Sequence, residues 1–212
     1  AIIAHLYDDY SEIIGIDHQE RAVEAAKRNF KDKRISFMKM DSDEMNFKKH
    51  SFDIVCLSNS LHHMKDINKS ISDMANMVKP EGILILNEMI SDNDDEKQMT
   101  HTYFHHFWAE TNRVNGIIHN ETMTHREILN ILENHPGIKL EEAWKMNMPE
   151  QGEIPAEAYE HLKVSLDKSL EAVKKHPEYE RFNLKAEELK TRLDNIGFKS
   201  ATQILAIARI SE

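Results

Sequence analysis

The sequence predicts an α/β fold built on a doubly wound, mostly parallel sheet. Two observations lead there. Over the first ninety residues, short apolar runs that end in a polar residue alternate with stretches of helical spacing. Such alternation means crossover units, which force consecutive strands to run parallel. The first strand candidate, Glu12 to Asp17, is also apolar on both faces, as a strand covered by helices on either side must be.

Each element has its own signal. Ile2, Ile3 and Leu6 read as the last turns of a buried helix stopped at Asp8-Asp9. Glu12 to Asp17 is a short apolar run ending in an acid, hence a strand. From Gln19 to Phe30, Ala22, Val23, Ala26 and Phe30 recur at helical spacing, and Ile35 to Met40 returns to alternation. Phe52 to Leu57 is a third strand. Ile67, Ile71, Met74 and Val78 form a helical stripe that the Lys79-Pro80-Glu81-Gly82 segment closes, and Ile83 to Leu86 is a fourth strand. Asp92 to Lys97 reads as an acidic loop before an amphipathic helix with Tyr103, Phe104, Phe107, Trp108 and Val114. Thr124 and Glu127 form a capping box ahead of Ile128, Leu129 and Leu132, in a helix stopped at Pro136-Gly137. Ile138 to Met146 is a strand. A helix opens at Pro155 and carries Tyr159, Leu162, Leu166, Leu170 and Val173. The last helix holds Leu189, Leu193 and Ile196, is capped by Gly197, and leads to a final strand at Thr202 to Ile210.

Composition narrows the function. The 212 residues carry 27 Lys plus Arg against 37 Asp plus Glu, a net charge of −10, which opposes binding driven by release of counterions from nucleic acid. No apolar stretch approaches the roughly 18 to 20 residues that a membrane span requires. The single cysteine, Cys56, excludes an internal disulfide and fits a reducing cytoplasm. There are 6 glycines where average usage of about 7% would give about 15, so a glycine-rich nucleotide loop should be visible, and none is. The chain opens on Ala1-Ile2-Ile3-Ala4, apolar from its first residue, and is expected to begin in mid-domain.

In an open parallel sheet a ligand lies beyond the carboxyl ends of the strands, so those ends hold the candidate residues. They are Asp17, Asp41-Ser42 and Leu57-Ser58-Asn59. A carboxylate offers two oxygens to a pair of ribose hydroxyls, or accepts from an exocyclic amine, although such residues also serve simply as helix caps. His62, His63, Glu88, His105 and His106 are candidate bases, and a histidine near a core commonly does no more than bond locally. His101 and His105, four apart on a helix, could share a metal. The run lacks the internal Glu of a zinc hydrolase helix and no third ligand is marked by spacing, so no metal is expected.

These words resemble the class I S-adenosylmethionine (SAM) dependent methyltransferases over residues 1–90: GIDHQERAVEAAKRN, MDSDEMNF, SFDIVCLSNSLHHM and MVKPEGILILNEM. The resemblance implies a Rossmann-like sheet with a C-terminal antiparallel strand. It implies SAM as cofactor, with Asp17 on the ribose, His18 beside the adenine, Asp41 and the Ser42 backbone on the adenine edge, and Leu57 and Ser58 at the methionine end. His62 would face the transferred methyl. The family's first strand and glycine-rich loop have no counterpart, so the strands ending at Asp17 and Leu57 are expected to flank a gap rather than pair.

The resulting expectation is one methyltransferase-like domain over 1–212, with helical additions near 95–120 and 150–180. It would transfer a methyl to a small-molecule acceptor in the cytoplasm, without nucleic acid or membrane as partner. His62 and His106 are the candidates for catalysis. A nicotinamide-dependent oxidoreductase and a non-catalytic module of the same fold are the alternatives. The helix after the fourth strand would either roof the ligand crevice as a lid or pack as an outer layer or homodimer contact, and its aromatic stripe suits both roles.

Overall fold

The computed structural model describes residues 9–147 and 156–211. The opening helix expected at residues 2–6 and the helix start at Pro155 lie outside the described residues.

The alternation predicted for the first half is present. Strand β1 (Ile13–Asp17), helix α1 (Glu20–Asn29) and strand β2 (Ile35–Lys39) form one crossover unit, with β1 and β2 parallel from Ile13↔Ile35 to Asp17↔Lys39. Helix α1 has Glu20 in its first turn and Lys27 and Arg28 in its last, the polarity its dipole favours, and it buries Val23. A second unit follows: β3 (Phe52–Ser58), α2 (Ile67–Met77) and β4 (Val78–Met89), with β3 parallel to β4. Asp66 caps α2 by accepting from the Lys69 N–H at 3.0 Å.

Strand β4 begins earlier than the sequence suggests. Val78 belongs to the strand, paired with Phe52, and is fully buried. The Lys79–Gly82 segment is an irregularity within β4: the register shifts between Phe52 and Ile54, and Glu81 has φ +62°. Gly82 is needed there because a Cβ would come within 2.8 Å of the Asp53 carbonyl oxygen.

Helices α3 (Glu96–Val114) and α4 (His125–Glu133) precede β5 (Ile138–Met146), and α5 (Ala156–Ala172) and α6 (Tyr179–Ile196) precede β6 (Gln203–Ile210). The expected capping box opens α4, with Thr124 Oγ1 accepting from Glu127 N–H and Glu127 Oε2 accepting from Thr124 N–H. Gly197, at φ +92°, ends α6 as expected.

The strands order as β3-β4-β6-β5, with β6 antiparallel to both neighbours, and β1-β2 form a separate pair. The sheet is therefore mostly parallel with an antiparallel C-terminal strand. β1 and β3 do not pair, in keeping with the gap expected between them. One core, including Leu57, Ile71, Leu84, Ile128 and Ala206, lies between the larger sheet and α2 and α4; a second, with Phe104, Phe107, Leu166, Phe182 and Leu193, lies among α3, α5 and α6.

Helix α3 separates these layers and is buried on opposite sides. Thr100, Phe104, Phe107 and Thr111 form one buried stripe, while Gln98, Thr102, His105 and Ala109 form another about 200° around the axis. The first carries Phe104 and Phe107 into the helical core, so these two aromatics of the sequence stripe are packing residues; Tyr103 is exposed. The second faces the strand ends: Thr102 Oγ1 accepts from Asn93, and His105 meets histidines beyond β3. Two buried faces also explain why α3 begins at Glu96, seven residues before the aromatic run that marked it in the sequence. Asp95 caps it by accepting from Lys97 N–H at 2.8 Å.

Candidate active site

The carboxyl end of the β1-β2 pair gathers four of the predicted residues. Met40 N–H donates to the Asp17 carbonyl at 3.0 Å, which holds the ends of the two strands together. Asp17 Oδ1 accepts from Gln19 N–H at 2.8 Å, and Asp41 Oδ1 accepts from Asp43 N–H at 2.9 Å to open the 3-10 turn at Ser42–Glu44. Asp41 is thus a true cap, whereas Asp17 bonds only the N–H of Gln19, the residue before α1, and each engages one oxygen. Both remain exposed; the Asp17 side chain keeps 45% of its accessible surface. His18 is exposed beside it, with Nδ1 3.8 Å from Asp17 Oδ1.

Leu57 and Ser58 end β3 and behave differently. The Leu57 side chain is buried in the main core, so only its backbone is available to a ligand. Ser58 pairs with Asn87 across the parallel ladder, and its Oγ accepts from Asn87 Nδ2 at 3.2 Å. Asn87 also donates to Gln203 Oε1, while its Oδ1 is buried and has no partner among the described residues. Asn59 follows in the left-handed region, φ +46°, which turns the chain out of the sheet.

The next turn, Leu61–His63, is held from β4. Glu88 is buried, 1% exposed, and accepts from Leu61 N–H at 2.8 Å through Oε2 and from its own neighbour Met89 N–H at 2.9 Å through Oε1. Oε1 also lies 3.0 Å from His62 Nδ1. This carboxylate is fully engaged within the protein, so the expectation that Glu88 could serve as a free base is corrected: it orients the turn and the His62 ring.

Among the other histidines, His101 and His105 do not form a pair. His101 Nδ1 accepts from Ala201 N–H at 2.9 Å, and burial pushes its pKa down to about 4. His105 instead meets His62, with ring centroids 4.6 Å apart, and His119, whose Nε2 lies 3.2 Å from His105 Nε2. Burial, reinforced by the neighbouring histidines, lowers His105 to about 2 and His119 to about 4. His106 faces elsewhere: its Nε2 is 3.0 Å from Thr122 Oγ1, and burial lowers its pKa even though Glu121 opposes the shift. His62 and His106, the two catalytic candidates, therefore occupy different surroundings. His119 carries no periodic or motif signal in its loop, and only the fold reveals it.

The comparisons agree with this architecture. Residues 1–86 match the family described as methyltransferase domain. Among solved structures, a proposed methyltransferase of Bacillus halodurans aligns with TM-score 0.59 and 16% identity over 95% of this chain and 84% of its own. A proposed methyltransferase of Haloferax volcanii, in complex with the Trm112 methyltransferase activator, aligns with TM-score 0.57 and 16% identity over 95% and 73%. A phosphoethanolamine N-methyltransferase of Haemonchus contortus, in complex with phosphomonomethylethanolamine and S-adenosylhomocysteine, aligns with TM-score 0.52 and 16% identity over 99% of this chain and 46% of its own. No curated protein matches in sequence. The chain thus shares the fold of these solved methyltransferases, and its residues 1–86, under half of its length, match the methyltransferase-domain family.

Proposed function

We propose that the protein transfers a methyl group from SAM to a small-molecule acceptor. The observation that carries this reading is the pair of accessible acids, Asp17 and Asp41, at one carboxyl strand edge within the stretch that matches the methyltransferase domain. An adenosine suits that pair of acceptors. The exposed Asp17 carboxylate would accept from the two ribose hydroxyls, Asp41 would accept from the adenine amine with the Ser42 backbone beside it, and His18 would flank the ring. The Leu57 backbone and Ser58 would line the methionine end. When bound, SAM supplies an electrophilic methyl group on a sulfonium that leaves as a neutral thioether.

Little acid–base chemistry is then asked of the protein. Its contribution is to hold the acceptor in line and to exclude water, and a base is required only for an acceptor that must lose a proton. His106 is half-buried beside Thr122 on the loop after α3, and a lid role for that surface rests on its position beyond the parallel strands.

Calorimetry with SAM, S-adenosylhomocysteine and NAD tests the assignment. Micromolar binding of both sulfur ligands, weakened in Asp17→Ala, is expected, with NAD far weaker. Absence of SAM and S-adenosylhomocysteine binding to the folded protein would overturn it, and tight NAD binding would favour an oxidoreductase.

A further inference from the structure

We propose that His62, His105 and His119 form a binding site for a divalent transition-metal ion of the zinc type. The three side chains arrive from three elements: the turn after β3, helix α3, and the loop that follows α3. They are 7%, 8% and 7% exposed, and one ring nitrogen from each lies within 4.8 Å of the others.

The geometry suits a metal better than a hydrogen-bonded cluster. Two nitrogens each about 2.0–2.1 Å from a tetrahedral ion stand about 3.3 Å apart. His105 Nε2 and His119 Nε2 are separated by 3.2 Å. Without an ion that contact can hold only one proton, whereas an ion would take a lone pair from both nitrogens; His105 Nδ1 is buried with no partner among the described residues in either case. A buried ring whose only polar neighbour is another imidazole is poorly satisfied for a structural histidine.

The surroundings follow the same pattern. Glu88 lies 3.0 Å from His62 Nδ1 and so leaves Nε2 as the free nitrogen, the carboxylate–histidine arrangement that fixes a ligating ring and raises its basicity. The Asn112 amide lies 2.8 Å from His119 Nδ1; ligation through His119 Nε2 places the ring proton on Nδ1, so the amide must then turn its oxygen to that proton. The loop bearing His119 is pinned against the turn bearing His62, since Asn120 N–H donates to the His62 carbonyl at 2.7 Å. Three imidazoles leave a fourth tetrahedral position for water or a ligand oxygen. The imidazole donor set selects zinc, cobalt, nickel or copper over magnesium or calcium.

The test uses the full chain, freed of any polyhistidine tag and stripped with chelator. Zn²⁺ is titrated by calorimetry and Co²⁺ by visible absorption, with X-ray absorption on the zinc-loaded protein. One equivalent of metal is expected, with three imidazole nitrogens at about 2.0–2.1 Å. His105→Ala and His119→Ala should each abolish it, Glu88→Gln should weaken it about 10–100-fold, and His106→Ala should retain it. No stoichiometric binding to folded wild-type protein overturns the proposal. Fewer than two imidazoles in the absorption spectrum, a measurement that needs no variant to fold, does so equally. Undiminished binding in folded His105→Ala and His119→Ala proteins does so too.

Discussion

The two parallel strand pairs end in acids that occupy the same topological position and meet opposite conditions. Beyond β1 and β2, Asp17 and Asp41 stand in solvent, each with one oxygen on a backbone N–H. In the last residues of β4, Glu88 is sealed from water and engaged by two backbone N–H groups and His62. The difference teaches that a strand-end carboxylate is not by itself a ligand site. Exposure leaves Asp17 and Asp41 able to exchange water for hydroxyls or amines, whereas burial commits Glu88 to the fold, where its loss would strand its donors.

The largest expected effect comes from breaking the buried side. Glu88→Ala leaves Leu61 and Met89 N–H groups unpaired at about 1–3 kcal/mol each, so a loss of about 4 kcal/mol in denaturant unfolding is expected. A loss below about 1 kcal/mol would erase the contrast with Asp17.

Next is the response to acid, to which the buried His101 contributes. Burial holds the folded-state pKa of His101 at about 4, below the unfolded value of about 6.5. The unfolded chain therefore binds more protons between those values, so this stability is fully present above about pH 6.5 and is lost as pH falls toward 4. His101→Gln keeps an acceptor for Ala201 N–H but does not titrate there. Its melting temperature should fall less than that of wild type between pH 7 and 4.5, and equal slopes would remove His101 from the account.

Asp17→Ala should cost about 1–3 kcal/mol of SAM affinity in calorimetry while changing unfolding by less than about 0.5 kcal/mol. A large stability loss would show that the exposed acid is structural after all. The smallest effect is expected at His106→Ala, where loss of the contact with Thr122 costs about 1 kcal/mol of stability. Reduced acceptor turnover with SAM binding intact would mark this surface as a lid, and unchanged acceptor kinetics would mark it as scaffold.

Local chemistry made much of this legible. The apolar runs at Ile13–Asp17 and Phe52–Ser58, the Thr124–Glu127 capping box and the Gly197 stop are encoded within a few residues of where they act, and they appear in the structure near their predicted positions. Strand β4 was harder because the Lys79-Pro80-Glu81-Gly82 segment reads as a loop, yet a bulge keeps it within the strand. Helix α3 was harder for a different reason. Its two buried faces spread polar and aromatic residues around the axis, and a single amphipathic stripe cannot describe both.

By itself the sequence determined the alternation of strand and helix, and with it the parallel pairs and the acids at their ends, because backbone propensity, periodicity and capping are short-range. Only the tertiary structure decided which residues share an environment. Glu88 reaches His62 across 26 positions and His119 reaches His105 across 14, distances over which no periodicity survives. Topology brings them together, and the exclusion of water there turns scattered polar residues into a buried histidine cluster while leaving Asp17 and Asp41 in solvent.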